Sequence, residues 1–517
     1  MSPRSLLPIT NADLTEEARS PENERRLHKS EGDFPLNLPC VMRQSVNLLI
    51  CHRRQKIFVY TVLSAVTFAT IIVLLYCLPK SLNPLKPFSL LFARVPRSSK
   101  LVNEHDKQKR YRDYDNSVVF DHIWLSYSCV GTLNQIGGIE NIFEVVEAWE
   151  SSLRTDCRDL YMKFRDIYLV RTRRAPVVIP ESFVPKVLRW LGGNKKLLEG
   201  TTSQLITSID NLYTQESTIF NPVRSKRPGA GGRATLETRQ YLSEILQATA
   251  KDCDFCQYKN NTAQDPFGRI DSRFTVTVSN TFKVEKFHSL VLWKHHNPLV
   301  ISEYELLDAM ETAERWFLRA HAWDTKYTIP HVFWDTLPRA STSQIHPHLH
   351  VTLARDQYYA RWNHLYFAAK KYAEDHNGEN YFSALTEIHS ALGLAVHYGS
   401  ASVLAYLTPT ASHEIMLLSK TLSKDLSVLL YACITALRDN MELYALSSGM
   451  VFPKLVPSPD GSDLPAIIRI VYRGAAESNR ADIDSFQLFG TVNVNVDPYM
   501  IIRSIRKSVA SRKERGL

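Results

Sequence analysis

Three histidines alternate in the stretch SQIHPHLHVTL, at His346, His348 and His350. Period two is the repeat of an extended strand, and it sends all three imidazoles to one face. With 17 histidines in 517 residues, chance gives such a triple roughly once in fifty chains. Three titratable rings side by side are also costly to bury unless each has a partner. The strand therefore reads as part of a metal or phosphate site, and a sheet must carry it.

A second feature bears on the surroundings of the chain. Ile57 to Leu78 gives 22 positions without a charge. At about 1.5 Å per residue this helix reaches roughly 33 Å, enough for a hydrocarbon core of about 30 Å. The run has no polar face, ends at Pro79 and follows 56 other residues, which argues against a buried helix and a cleaved signal peptide. The expectation is an uncleaved single-pass membrane anchor. Beside it Arg53, Arg54 and Lys56 outnumber Lys80, which sets the N-terminus in the cytosol. Counted twenty residues out on each side the charges tie, and the basic run Lys107 to Arg112 lies further on.

The rest of the chain divides by composition. Residues 1–56 form a flexible tail, 57–78 the anchor, 79–115 a stem with Pro79, Pro84, Pro87 and Pro96, and 116–214 a helical region. Residues 215–370 and 371–517 follow as two α+β units, the second ending in a basic tail. The net charge of +9 sits largely in the stem and the last fifteen residues, so it speaks of membrane neighbours more than of acidic substrates. Nucleic-acid binding lacks interleaved aromatic and basic residues. Eight scattered cysteines do not make a disulfide-built scaffold.

Two of those cysteines, Cys253 and Cys256 in KDCDFCQY, are spaced as a metal-binding or redox pair. Zinc needs four soft or borderline ligands, so two thiolates need two more. His288, His295, His296 and the first histidine of the triple are the candidates. Cys253, Cys256, His296 and His346 would close a structural site and leave His348 and His350 for chemistry. Around them, RFTVTVSN and HSLVLWK alternate as strands. Ser302 to Glu305 opens a helix with a capping box, and Leu306, Met310, Ala313 and Phe317 are its core face. Asn260-Asn261-Thr262 is an N-glycosylation sequon.

These elements resemble the histidine-triad superfamily, and within it the galactose-1-phosphate uridylyltransferase branch. The resemblance rests on the CxxC, on the downstream metal histidine matched by His296, and on Ser343-Gln-Ile-His346-Pro347-His348-Leu349-His350. It also takes in Asn221-Pro222-Val223-Arg224-Ser225-Lys226-Arg227-Pro228 and covers roughly residues 215 to 510. It implies an α+β fold of tandem antiparallel sheet-and-helix units, the second degenerate because Pro465 to Tyr472 has no histidine. The implied cofactor is zinc, and the implied substrate is a nucleotide sugar or related nucleoside phosphate.

His348 would then attack an α-phosphorus and carry the nucleotidyl group covalently. His350 and Ser343 would steady the phosphate oxygens, and Arg224 and Arg227 would clamp phosphates. His350 stands where the transferases have Gln, and the Gly and Asn usual before the serine are replaced. This leaves base, sugar and acceptor open, with a phosphorylase or hydrolase as alternatives. A catalytically silent, zinc-stabilised binding protein is a further one. A homodimer is admitted as a partner arrangement. With the N-terminus cytosolic, a type II protein results, its catalytic part in the lumen of the endoplasmic reticulum or Golgi.

Overall fold

The computed structural model describes residues 110–131, 136–224, 234–481 and 483–514. The anchor expected at 57–78, the tail before it, most of the stem, and Arg227 lie outside them. Among the described residues no helix is long and apolar enough to cross a membrane. All of them belong to one compact unit that begins at His105.

Among the described residues, thirteen strands build two sheets. β1 (Tyr168–Pro176), β2 (Ser203–Asn211) and β3 (Ser217–Phe220) come first. β4 (Thr275–Ser279), β5 (Phe287–Trp293), β6 (Ile329–Asp335) and β7 (His348–Ala354) follow. Then come β8 (Ala395–Tyr398), β9 (Ala401–Ala405) and β10 (Ile415–Ser419). β11 (Leu446–Val451), β12 (Ala466–Tyr472) and β13 (Val492–Val494) are last. The smaller sheet has the order β1-β2-β3-β13; the larger has nine strands in the order β4-β5-β7-β6-β11-β12-β10-β9-β8, every neighbour antiparallel. The fold is thus α+β with antiparallel pairing, as expected. The stretch 116–214, read as helical, also holds β1 and β2. TVNVNV, read as a strand of the second unit, contributes β13, which instead joins the smaller sheet in parallel with β3.

The nine-stranded sheet is two similar halves joined back to back through β6 and β11. Phe333 faces Gly449 at that seam, His350 faces Phe333, and Arg469 faces Gly449. A twofold operation centred on the Phe333–Gly449 pair therefore exchanges β7 with β12 and His350 with Arg469. Followed outward through the ladders, it carries β4 onto β9 residue for residue. β12, which lacks histidine, is the counterpart of the histidine strand.

Helices cover one face. Ser302 caps the Glu303–Trp323 helix by accepting from the Glu305 N–H, while the Glu305 carboxylate accepts from the Ser302 N–H at 2.7 Å. Its Leu306, Met310, Ala313 and Phe317 are buried against the first half. The Lys424–Thr435 helix packs beside it over the second half. Asp265, buried between these layers, accepts from Ser279 Oγ (2.8 Å), Ser289 Oγ (2.6 Å) and Trp316 Nε1 (2.8 Å). Three donors satisfy one buried carboxylate, and they lock β4 and β5 to the helix. A disulfide joins Cys129 to Cys157, 28 residues apart. Closing a loop of that size stabilises the fold by about 3–4 kcal/mol in the chain-entropy model.

His389, His397 and His413 sit in the second half. His389 is wholly buried; its Nδ1–H donates to the Leu385 carbonyl at 2.7 Å, and burial holds the ring down at about 4. A folded value below the usual 6.5 of histidine means that the unfolded chain takes up the proton first as pH falls. The stability is therefore present above pH ~6.5 and lost as pH drops toward ~4. The urea midpoint should fall across that range, and His389→Gln should flatten the fall; an unchanged slope in the variant would remove His389 from the account.

Candidate active site and metal centre

Arg269 places the CxxC loop. Its Nη1 donates to the carbonyls of Ala263 (3.1 Å) and Thr277 (3.3 Å), and its Nη2 to those of Tyr258 (3.1 Å) and Thr262 (2.8 Å). Four main-chain acceptors on one planar fork tie the segment after Cys256 to β4. The loop thereby comes to lie over the start of β7.

There Cys253, Cys256, His296 and His346 converge, their ligand atoms all within 4.8 Å of one another. His346 Nδ1 is 3.5 Å from both sulfurs, and His296 Nδ1 is 3.5 Å from Cys256 Sγ. A tetrahedral zinc with Zn–S about 2.3 Å and Zn–N about 2.05 Å sets S···N near 3.6 Å, so the donor set fits that ion. The outer nitrogens are also held: His346 Nε2–H donates to the Trp293 carbonyl at 2.7 Å, and His296 Nε2 meets Thr249 Oγ1 at 3.1 Å. Such second contacts orient metal-binding imidazoles. Burial, and then the neighbouring Cys253, push the Cys256 thiol up to about 11, so a cation is what would hold the pair as thiolates. His295 lies 3.3 Å from Glu305 instead and is not in the cluster.

The next histidine along β7 has a different task. His348 Nδ1 is 2.7 Å from the His346 carbonyl. A carbonyl only accepts, so Nδ1 carries the proton and Nε2 keeps its lone pair. The ring is buried, and that burial holds it down at about 4, partly offset by the carbonyl. Phe255, inside the CxxC, stands edge-on to it with ring centroids 5.3 Å apart. A neutral imidazole with its lone pair on Nε2 can act as a nucleophile.

His350 follows on the same face, 5.2 Å from His348 between ring centroids. Its Nδ1 meets His288 Nε2 at 3.1 Å, and His288 Nδ1 accepts from the Val284 N–H at 3.2 Å. Asn280 Nδ2 lies 3.2 Å from the same His288 Nε2. His288 was weighed only as a metal ligand; the structure sets it against His350. Its signal was available, since His288, Leu290 and Leu292 alternate along β5 on the face of the histidines. Phe255 was missed although it stands within the motif.

Ser343 lies on an exposed bend before β7, with no hydrogen bond to the histidines among the described residues. Arg224 is also exposed and lines a cavity over the second half of the sheet.

No family model matches the chain, and no curated protein matches it. Solved structures are similar at a distance. An ADP-glucose phosphorylase from Arabidopsis thaliana with bound ADP-glucose shares 15% identity over 57% of this chain and 96% of that one, with a TM-score of 0.44. A GalT-like protein from the same plant shares 15% over 50% and 92%, with a TM-score of 0.42. Yeast Ap4A phosphorylase Apa2 in complex with AMP shares 15% over 63% and 96%, with a TM-score of 0.27. At these identities and scores none of the likenesses bears on what the chain acts on.

The metal centre has a direct test. Elemental analysis of the full chain should find one zinc per polypeptide. Cys256→Ser and His346→Ala should each lose it and melt several degrees lower. Full zinc retention in both variants would contradict the site.

Proposed function

We propose that this chain is a membrane-anchored enzyme of the nucleotidyltransferase type, acting on a nucleotide sugar or related nucleoside phosphate. The observation that carries the proposal is the hydrogen bond from His348 Nδ1 to the His346 carbonyl, which leaves Nε2 free in a buried setting. In the first step Nε2 attacks the α-phosphorus and a phosphoryl leaving group departs, forming a covalent nucleotidyl-histidine. In the second an acceptor displaces His348. His350, backed by His288, faces the place where the phosphate oxygens gain charge. Cys253, Cys256, His296 and His346 would hold zinc, which when bound ties the CxxC loop to the base of β7. Arg227 and Ser343 belong to the proposal as phosphate contacts on the strength of the sequence resemblance, whereas Arg224 lines the separate cavity over the second half of the sheet.

A second reading, a phosphorylase or hydrolase, differs only in the acceptor. His350 in place of the Gln of the transferases favours it, because the His288–His350 pair brings a second imidazole to the phosphate.

We also propose the type II arrangement, with residues after the apolar segment in an oxidising lumen. Its support is the charge bias beside Ile57–Leu78 and the Cys129–Cys157 disulfide, a bond that reducing cytosol disfavours.

The full chain incubated with a panel of nucleotide sugars should gain the mass of a nucleoside monophosphate on the peptide that holds His348. Turnover in His348→Ala should fall at least about a thousandfold. Unchanged turnover would end the proposal, and tight binding without adduct would establish the silent binding protein instead. For the topology, expression in secretory cells should give a glycosidase-sensitive mobility shift that Asn260→Gln removes. An unglycosylated chain with both cysteines of the 129–157 pair reactive to alkylation would place this part in the cytosol.

A further inference from the structure

The second half of the large sheet has a site of its own, on the face that carries the histidines in the first half. His350, Phe333, Gly449 and Arg469 form one register row across β7, β6, β11 and β12. The twofold operation that exchanges His350 with Arg469 also carries His288 onto Glu414 and His348 onto Ile467. In the first half a His288–His350 pair stands 3.1 Å apart. In the second, Glu414 accepts from Arg469 Nε in its place. The nucleophile position holds an aliphatic side chain. An arginine–carboxylate pair thus stands where the first half has two imidazoles.

Above this row lies a cavity of about 1330 Å³. Tyr359 and Trp362, from the start of the helix after β7, fence it from the histidines. Tyr359 stacks on His331 at 4.2 Å, and Trp362 lies so close over Gly449 that a Cβ there would come within 3.3 Å of its ring. Glycine at the seam is what lets the indole down onto the sheet. Among the described residues, six arginines line the cavity against four carboxylates. Arg469 is its floor and is 8% exposed; Nε is taken by Glu414 and Nη1 by Glu216 at 2.8 Å, while Nη2, shielded from solvent, has no hydrogen-bond partner among the described residues. Beside it Arg473 Nη1 donates to Ser447 Oγ at 2.9 Å, and Ser447 Oγ–H in turn to Asp335 at 2.6 Å. At the rim, Arg480 is exposed.

We propose that this cavity is a second ligand site, which binds a phosphorylated small molecule bearing a planar ring and does no chemistry on it. Arginines in this number suit a phosphate, for which the guanidinium fork is shaped. A phosphate alone would not fill the space, since pockets of about 300–1,000 Å³ already enclose drug-sized ligands. Trp362, Phe333 and Tyr359 supply a wall on which a base or similar ring stacks. This site stands whether or not His348 turns over substrate.

The test is photolabelling of the zinc-loaded full chain with 8-azido-ADP, with labelled peptides located by mass spectrometry. Label is expected on peptides that contain Tyr359, Trp362 or Tyr472. It should fall at least about tenfold in Arg473→Gln/Arg480→Gln. Arg480→Gln alone, at an exposed position that leaves the fold intact, should give a smaller loss in the same direction. Any adduct at His348, measured in the same samples, should be unchanged, so failure of the catalytic reading is seen separately. Label confined to the histidine face, or cavity label indifferent to both variants, would overturn the proposal.

Discussion

Two hydrogen bonds from imidazole to main-chain carbonyl govern this site. His346 donates through Nε2 to Trp293, and His348 donates through Nδ1 to His346. The two rings stand two residues apart on one strand, yet the carbonyls fix them in opposite tautomers. The His346 lone pair, on Nδ1, is turned toward the thiols, and the His348 lone pair is on Nε2. A single stretch of chain could thus serve the proposed metal centre and the proposed nucleophile without either taking the other's ligand. The rest of the fold keeps those carbonyls in place: β5 supplies Trp293, Asp265 locks β5 to its helix, and Arg269 holds the CxxC loop above.

Duplication explains the remainder of the sheet. Two halves paired through β6 and β11 bury one another's edges, which leaves neither with an exposed seam strand. One half carries the histidines. The other has exchanged a neutral imidazole pair for a buried ion network of Arg469, Glu414 and Glu216. Burial alone would weaken the charge on Arg469, and the two carboxylates reverse that, holding its proton more firmly than usual. Such a network is stable only if every member keeps its partner, so it specifies the second half as firmly as zinc ligands would the first.

Much of this was legible from residue patterns. The histidine strand announced itself by period two, the Glu303–Trp323 helix by its capping box and apolar stripe, and β12 by its place in the order of elements. Short strands were harder. β8 has only four residues, and the five of β10 are all buried, so neither carries a period to read. β1 was passed over because it lies between helices, although Tyr168, Val170 and Thr172 alternate with more exposed neighbours. The pairing of Cys129 with Cys157 has no signal in spacing. His288 and Arg469 gain their meaning only from register, which places them beside residues 62 and 55 positions away.

The chemistry of the covalent link tests the central claim most directly. After brief reaction with a nucleotide sugar labelled at the α-phosphorus, the quenched chain should retain label that is stable in alkali and released by mild acid, as a phosphorus–nitrogen bond on histidine is. Label released by alkali and stable to mild acid, or no label under conditions of turnover, would show that His348 Nε2 is not the nucleophile.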